Sequence, residues 1–160
     1  MNPATRLTCQ INGQPFDSEI EPRLLLVDLV RDVAGLKGTR IGCLTGDCGA
    51  CTVRLDGRVV KACIVLAFSV EGRDITTIEN ACDIVELQDA FVAENGFQCG
   101  YCTTGMVLTA AELLRTNPDP TDAEIRRALI GNLCRCTGYE AIVAAIRRAS
   151  VSRLSTTPAP

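Results

Sequence analysis

Four cysteines in the first half of the chain stand at a spacing suited to metal binding. Cys43, Cys48 and Cys51 are separated by four and then two residues, and Cys63 follows after eleven more. Plant-type 2Fe-2S sites use this spacing, with three thiolates from one loop and the fourth from a later segment. Zinc modules more often use paired two-residue gaps. The pattern favours a 2Fe-2S cluster, with a four-cysteine zinc site or incidental buried cysteines as the alternatives.

Glycines surround these cysteines in a way that a cluster-binding loop requires. Gly42, Gly46 and Gly49 interrupt the segment, which shows no hydrophobic periodicity. Glycine accepts positive φ and allows close approach of the backbone, so the loop is able to curl with its amides directed inward. We therefore expect these three glycines to belong to the cofactor-binding loop.

Four further cysteines lie in the second half. Cys99 and Cys102 form a pair with two intervening residues, and Cys134 and Cys136 form a pair with one. If the loops that carry these pairs meet in a four-helix arrangement, they supply a second site with four thiolates. A zinc site or a redox-active dithiol is the alternative. Cys9 and Cys82 remain, and we interpret both as small buried hydrophobic residues.

Composition excludes several classes of function. The net charge of −3 argues against a nucleic-acid partner, because phosphates are neutralised by clustered Lys and Arg. The chain has no histidine, which excludes a His-ligated Rieske centre and removes the commonest general base. We see no secretory signal and no apolar run long enough to span a membrane. A cytoplasmic location is expected, where thiols stay reduced and metal or redox roles are likelier than disulfides.

The first half is predicted to be rich in β-structure. Asn12-Gly13 and Asp56-Gly57 are strong hairpin signals, each flanked by candidate strands. A short buried helix is expected between them, from Leu24 to about Gly35, followed by the glycine-rich loop. The predicted strands are Leu7–Ile11, Gln14–Ile20, Thr52–Leu55, Arg58–Val60 and Asp74–Ile78.

The second half is predicted to be helical. Apolar residues recur at three- and four-residue spacing, and Thr121 with Glu124 forms a capping box. The sequence thus predicts an α+β protein with an N-terminal domain over residues 1–79, a helical domain over 80–154 and a disordered tail over 155–160. The four helices are expected from Ile84 to about Asn95, from Met106 to Leu114, from Thr121 to about Ile130 and from Tyr139 to Arg148.

Three motifs together resemble one protein family. They are the loop from Ile41 to Val53, Gln-Cys-Gly-Tyr-Cys at 98–102, and Gly-Asn-Leu-Cys-Arg-Cys-Thr-Gly-Tyr at 131–139. The combination is similar to the iron–sulfur subunit of molybdenum hydroxylases, the superfamily of xanthine oxidase and bacterial carbon monoxide dehydrogenase. The resemblance covers about Leu7 to Arg148. Thr104 stands where the family often has proline, a small departure because proline there only fixes φ.

The resemblance implies a fold and the positions of two clusters. An N-terminal β-grasp, plant-type ferredoxin domain would be followed by a C-terminal four-helix bundle domain. Electrons would pass from a molybdenum site through both 2Fe-2S clusters to FAD, with no substrate chemistry on this chain. The cluster nearer the FAD would be held by Cys43, Cys48, Cys51 and Cys63, and the cluster nearer molybdenum by Cys99, Cys102, Cys134 and Cys136.

The resemblance also implies partners. A large subunit would bind molybdopterin cytosine dinucleotide, a medium subunit would bind FAD, and the complex would be a dimer of heterotrimers. Gln98 and Cys136 would lie against the pterin, and we expect an electrostatic role near the cluster or cofactor for Arg135. A free-standing two-cluster ferredoxin-like carrier is the alternative. Purine, aldehyde, carbon monoxide and N-heterocycle all stay open as the substrate.

Overall fold

The computed structural model describes residues 4–156, and the side chains of residues 4–151. The first part of the chain forms five strands, which are β1 (Thr5–Ile11), β2 (Gln14–Ile20), β3 (Thr52–Leu55), β4 (Arg58–Lys61) and β5 (Asp74–Thr76). They form one mixed sheet in the order β2-β1-β5-β3-β4. Strands β1 and β5 are parallel, and the other neighbours are antiparallel.

Both predicted hairpins are confirmed, and their turn residues explain why. Asn12 and Gly13 have φ of 56° and 74°, and Asp56 and Gly57 have φ of 48° and 76°. Type I′ turns need positive φ at both central residues, and their twist matches that of the flanking strands. These turns join β1 to β2 and β3 to β4.

Strand β5 is shorter than predicted. It ends at Thr76, and a 3₁₀ turn, Ile78–Asn80, follows. The side chain of Asn12 accounts for the early end, because its Oδ1 accepts the Thr77 N–H at 2.8 Å in place of a neighbouring strand. A side-chain acceptor of this kind competes with the β ladder.

The predicted first helix is confirmed with narrower bounds. Helix α1 spans Leu26–Asp28 and continues as a π-helical segment, Leu29–Val33. Its buried apolar residues share one core with sheet side chains such as Leu7, Val53 and Ile75, while Val33 at its end is 47% exposed. No helix or strand follows until β3, so residues 34–51 form the expected long loop.

Four helices make up the second part of the chain, as predicted, around a separate core that contains Phe91, Met106, Leu108, Ile142 and Ile146. None of the helices in the described range is long and apolar enough to cross a membrane. The helices are α2 (Val85–Ala93), α3 (Thr103–Thr116), α4 (Asp122–Ala128) and α5 (Glu140–Thr156).

In this half the start of α4 is as predicted, and the end of α5 lies beyond its predicted position. The capping box that opens α4 is confirmed, since the Glu124 N–H donates to Thr121 Oγ1 and the Thr121 N–H donates to Glu124 Oε2. Helix α5 extends past Arg148, and its end at Thr156 falls within the predicted disordered tail. That prediction is wrong for residues 155 and 156, where the helix simply continues. Residues 157–160 lie outside the described residues.

The two halves pack directly against each other through α3, β3 and β4. Gly105 in the first turn of α3 is the point of closest approach, because a Cβ atom there would overlap the carbonyl oxygen of Gly49 in the cysteine loop. At the other end of β3, Arg54 forms an ion pair with Asp83 at 2.7 Å. The backbone contact at Gly105 leaves no room for a side chain.

We expect Gly105→Ala to lower the melting temperature of the full chain. Alanine is intrinsically favoured over glycine in helices by about 1 kcal/mol, so a helix without this contact would gain stability. Here the added methyl must displace α3 from the cysteine loop, and overpacking costs roughly 1–3 kcal/mol. Thermal unfolding shows whether the melting temperature falls or rises. Thr116→Ala, at the exposed end of α3, is the control. A melting temperature at or above that of the parent would contradict the packing described here.

Candidate metal centres

The first set of cysteines is brought together by the β3–β4 hairpin. Cys43 and Cys48 lie in the long loop, and Cys51 immediately precedes β3. Cys63 lies in a 3₁₀ turn, Ala62–Ile64, directly after β4. Because Thr52 pairs with Lys61 across the hairpin, the segments that carry Cys51 and Cys63 emerge at the same end. The Cys63 thiol lies close enough to Cys51 to affect the pKa of Cys51.

The loop around Cys43 curls as its glycines predicted. Gly46 and Gly49 have φ of 86° and 73°. Gly42 has ordinary φ and serves close approach instead, since a Cβ there would lie 2.6 Å from Cys48 Sγ. The N–H groups of Thr45 and Cys48 point at the Cys43 sulfur, each 3.4 Å away. The loop therefore directs backbone donors at a sulfur, which is the environment that a cluster ligand needs.

Hydrogen bonding and burial move the thiol pKa values in opposite directions. The Thr45 side chain and the Cys48 N–H lower the pKa of Cys43 to about 6. Burial raises the pKa of Cys51 to about 11, and burial raises the pKa of Cys102 to about 12. Because a metal binds the thiolate, loading of the sites must release protons from the buried Cys51 thiol and the partly buried Cys102 thiol.

The second set comes from two loops that meet at the start of α3. Cys102 is the N-cap residue of α3, and Cys99 lies just before it. Cys134 and Cys136 lie in the loop that precedes α5. All four side chains line one cavity of about 230 Å³. The prediction that these two loops meet is confirmed.

The second-set thiols are arranged in two pairs. The sulfurs of Cys99 and Cys136 are 3.6 Å apart, and the thiols of Cys102 and Cys134 lie close enough to affect each other's pKa. Two sulfurs on one tetrahedral metal, with bonds of about 2.3 Å, lie roughly 3.8 Å apart. The Cys99–Cys136 pair therefore has the spacing for one metal atom. Within residues 4–156, no three His, Cys, Asp or Glu side chains surround a single ion position.

This pairing fits a cluster with two iron atoms. One iron would take Cys99 and Cys136, and the other would take Cys102 and Cys134. In the first set the contact between Cys51 and Cys63 identifies one such pair, and Cys43 and Cys48 remain for the other iron. Thiolates alone are the donor set of ordinary 2Fe-2S clusters, so the residues present suit that group at both places.

Tyr139 holds the second ligand loop in shape, which the sequence did not reveal. Its hydroxyl accepts the Cys134 N–H at 2.9 Å and donates to the Asn132 carbonyl at 3.2 Å. Its backbone is left-handed, with φ of 72°. Tyr139 ends the third sequence motif, but the motif does not indicate that its hydroxyl binds the ligand loop. It packs against the helical core as well.

Gln98 and Arg135 lie at the surface beside the second set. Both are exposed, and Arg135 lines the same cavity as the four cysteines. No hydrogen bond of the Gln98 side chain is found within residues 4–151, so its amide is not used inside its own loop. The expected contacts of both residues with a partner's cofactor stay predictions.

The two cysteines outside the sets differ from each other. Cys9 is buried in the sheet core, as expected, and burial raises its pKa to about 11. Cys82 is exposed, so the prediction of a buried residue is wrong. It begins a 3₁₀ turn in which Ile84 takes the buried position instead.

Direct hydrogen bonds connect the two sets. The Leu133 N–H, next to Cys134, donates to the carbonyl of Cys48 at 2.9 Å. Tyr101 Oη, between Cys99 and Cys102, donates to the Ile41 carbonyl at 2.7 Å. Arg40 donates to the Gly100 carbonyl at 2.6 Å and its guanidinium lies over the Tyr101 ring. These contacts join the segments that carry the ligands, and no pattern in the sequence predicts them.

A lysine lies at the same junction. Lys61 Nζ donates to the Gly131 carbonyl at 2.8 Å, although Lys61 belongs to β4 and Gly131 to the helical half. Burial lowers the pKa of Lys61, and the thiolates of the first set oppose that effect. A partly buried cation therefore faces the first set of ligands.

Comparison with known proteins agrees with this geometry. Residues 9–85 match the family described as 2Fe-2S iron-sulfur cluster binding domain, and residues 75–147 match the 2Fe-2S binding domain family. The nicotinate dehydrogenase small FeS subunit of Eubacterium barkeri is 45% identical over 93% of this chain and 96% of its own length. The nicotine 6-hydroxylase small subunit of Paenarthrobacter nicotinovorans is 44% identical over 86% of this chain and 84% of its own.

Solved structures show the same architecture. A chain of quinoline 2-oxidoreductase from Pseudomonas putida 86 matches with a TM-score of 0.89 and 42% identity, over 96% of this chain and 98% of that one. Aldehyde oxidoreductase from Desulfovibrio gigas matches with a TM-score of 0.87 and 38% identity, over 96% of this chain and 18% of its own. The chain belongs to the family of small iron–sulfur subunits of molybdenum hydroxylases.

Proposed function

We propose that this chain passes single electrons from a molybdenum cofactor in a large partner subunit to FAD in a medium partner subunit. A 2Fe-2S cluster, when bound, takes up and releases one electron. The chain's own residues would hold two such groups side by side, one nearer to each partner subunit. The large partner would carry molybdopterin cytosine dinucleotide, and the assembly would be a dimer of heterotrimers in the cytoplasm.

The observation that carries this proposal is the hydrogen bond between the ligand segments. Cys134 is bonded to Leu133, whose N–H donates to the Cys48 carbonyl at 2.9 Å. A ligand of the second set is thus connected to a ligand of the first set by covalent bonds and one short hydrogen bond. Electron tunnelling falls off less steeply through bonds than through empty space. The chain therefore provides a connected path between the two sites.

Each set also reaches the surface among apolar side chains. Beside the first set, Leu44 is 51% exposed and Ile64 is 61% exposed. Beside the second set, Leu133 is 56% exposed and Tyr101 is 49% exposed. Exposed apolar patches mark interaction sites, and the relatives named above are subunits of larger enzymes. A free-standing carrier is not favoured by these observations.

We place the molybdenum subunit at the second set. Cys99 and Cys136 are exposed there, and the amide of Gln98 is available to donate to and accept from a polar group such as a pterin. Arg135 would add positive charge near the same cluster or cofactor. The medium subunit would then lie at Leu44 and Ile64, beside the first set.

Replacement of Gln98 by Leu tests this placement in the purified complex. We expect both cluster spectra to be unchanged, while the molybdenum EPR signal is altered or substrate reduces the second cluster more slowly. Gln10→Leu, on the exposed face of β1, is the matched control. If the Gln98 variant reduces its clusters at the parental rate with the parental molybdenum signal, the partner's cofactor does not lie at this loop. A native mass equal to the lone chain would count against the subunit role itself.

Each cluster should also stabilise the fold that surrounds it. Metal binding contributes folding free energy where the ligands meet only in the folded chain. We expect Cys134→Ser to lose about half of the bound iron and one of two EPR signals, and to lower the melting temperature and the yield of the complex. Cys82→Ser is the control, because Cys82 is exposed and lies outside both sets. Full iron content and parental melting in the Cys134 variant would exclude this residue as a ligand.

A further inference from the structure

A single lysine connects the first set of ligands to the helical half. Lys61 is the last residue of β4, two positions before Cys63, and it pairs with Thr52, which follows Cys51. Its ammonium group donates to the Gly131 carbonyl at 2.8 Å and to Asn132 Oδ1 and Thr52 Oγ1 at 3.3 Å. It therefore lies between two first-set ligand segments and the loop that leads to Cys134.

The surroundings of this lysine are tightly packed. Asn132 is 1% exposed. Its Oδ1 also accepts from Thr109 Oγ1 at 3.1 Å, and its Nδ2 donates to the Gly49 carbonyl at 3.5 Å. A Cβ at Gly49 would overlap the Gly131 carbonyl, as one at Gly105 would overlap the Gly49 carbonyl. The loop before Cys134 therefore has little freedom to shift against the loop that carries Cys48 and Cys51.

The charge of Lys61 has no carboxylate partner. Its three hydrogen bonds go to a carbonyl, an amide and a hydroxyl oxygen. Among the ion pairs formed by the described side chains, none includes Lys61. A partly buried cation is costly unless nearby negative charge compensates it. The candidates for that charge are the thiolates at the adjoining ends of β3 and β4.

We propose that Lys61 is a positioning residue that fixes the separation of the two cluster sites and, through its charge, favours the reduced state of the first cluster. The inference rests on the proposed function. Reduction adds one electron, and hence one negative charge, to the first cluster, and a cation close by stabilises that charge. The three donors of the same ammonium group hold the helical domain's ligand loop in place. One side chain thereby affects both the separation of the two sites and the redox potential of the first cluster.

Three variants of the full, cluster-loaded chain separate these roles. Lys61→Met removes charge and donors, and Lys61→Gln removes the charge but keeps an N–H donor. Arg58→Met removes an exposed cation from the other end of β4 as the matched control. The iron content of each variant is measured first, and an EPR-monitored potentiometric titration then gives the potential of each cluster. The magnetic splitting between the two reduced clusters, measured at low temperature, then reports their separation.

In Lys61→Met we expect both clusters to be present, the first potential to move negative with a smaller shift at the second, and the splitting to change or broaden. Lys61→Gln should reproduce the negative shift while it keeps more of the parental splitting. Arg58→Met should match the parent in both measurements. If Lys61→Met fails to fold, the potential of the first cluster in Lys61→Gln tests the inference instead. A negative shift supports the inference, and the parental potential overturns it.

Parental potentials and splitting in the Lys61 variants would overturn the inference and leave the proposed function intact. An equal shift in Lys61→Met and Arg58→Met would also overturn it, because the effect would then be a general one of net charge. A parent chain that shows fewer than two cluster signals would overturn the proposed function instead. The two failures are therefore distinguishable in one set of samples.

Discussion

The need to bring thiols from distant segments to one metal atom governs this structure. Cys51 must meet Cys63 across a hairpin, and Cys102 must meet Cys134 across two helices. A domain of about 75 residues buries only roughly 60% of its unfolded surface, so each half has a small core. Cross-links through a metal cluster offset that weakness and also determine where β3 and α3 must begin and where β4 must end.

The same constraint makes the two halves dependent on each other. Their cores are separate, yet the ligand segments are joined through Leu133, Tyr101 and Lys61. These contacts are hydrogen bonds and close contacts at glycine. They fix the relative position of the two halves without burying a large area. A connection between two redox sites depends on distance, and a close backbone contact such as that at Gly105 resists small displacements. Packing at this junction therefore holds the two ligand sets at a constant separation.

Much of this could be predicted from the sequence, because local chemistry determines it. Asn12-Gly13, Asp56-Gly57 and the Thr121 capping box each act over a few residues, and the elements that they predicted are present. The exposure of Cys82 and the early end of β5 depend on neighbours that are distant in the chain. The role of Lys61 has the same character: nothing around it in sequence indicates a partner at Gly131. The motif resemblance supplied the β-grasp topology, which spacing and periodicity alone did not.

The pairing of the thiols is the claim on which the account depends most, and anomalous diffraction at the iron edge from crystals of the iron-loaded chain tests it directly. We predict two sites with two iron atoms each. In the second site one iron should be bound by Cys99 and Cys136 and the other by Cys102 and Cys134, and in the first site Cys51 and Cys63 should share an iron. A single metal atom at either site, or an iron bound by Cys99 together with Cys102, would contradict the account.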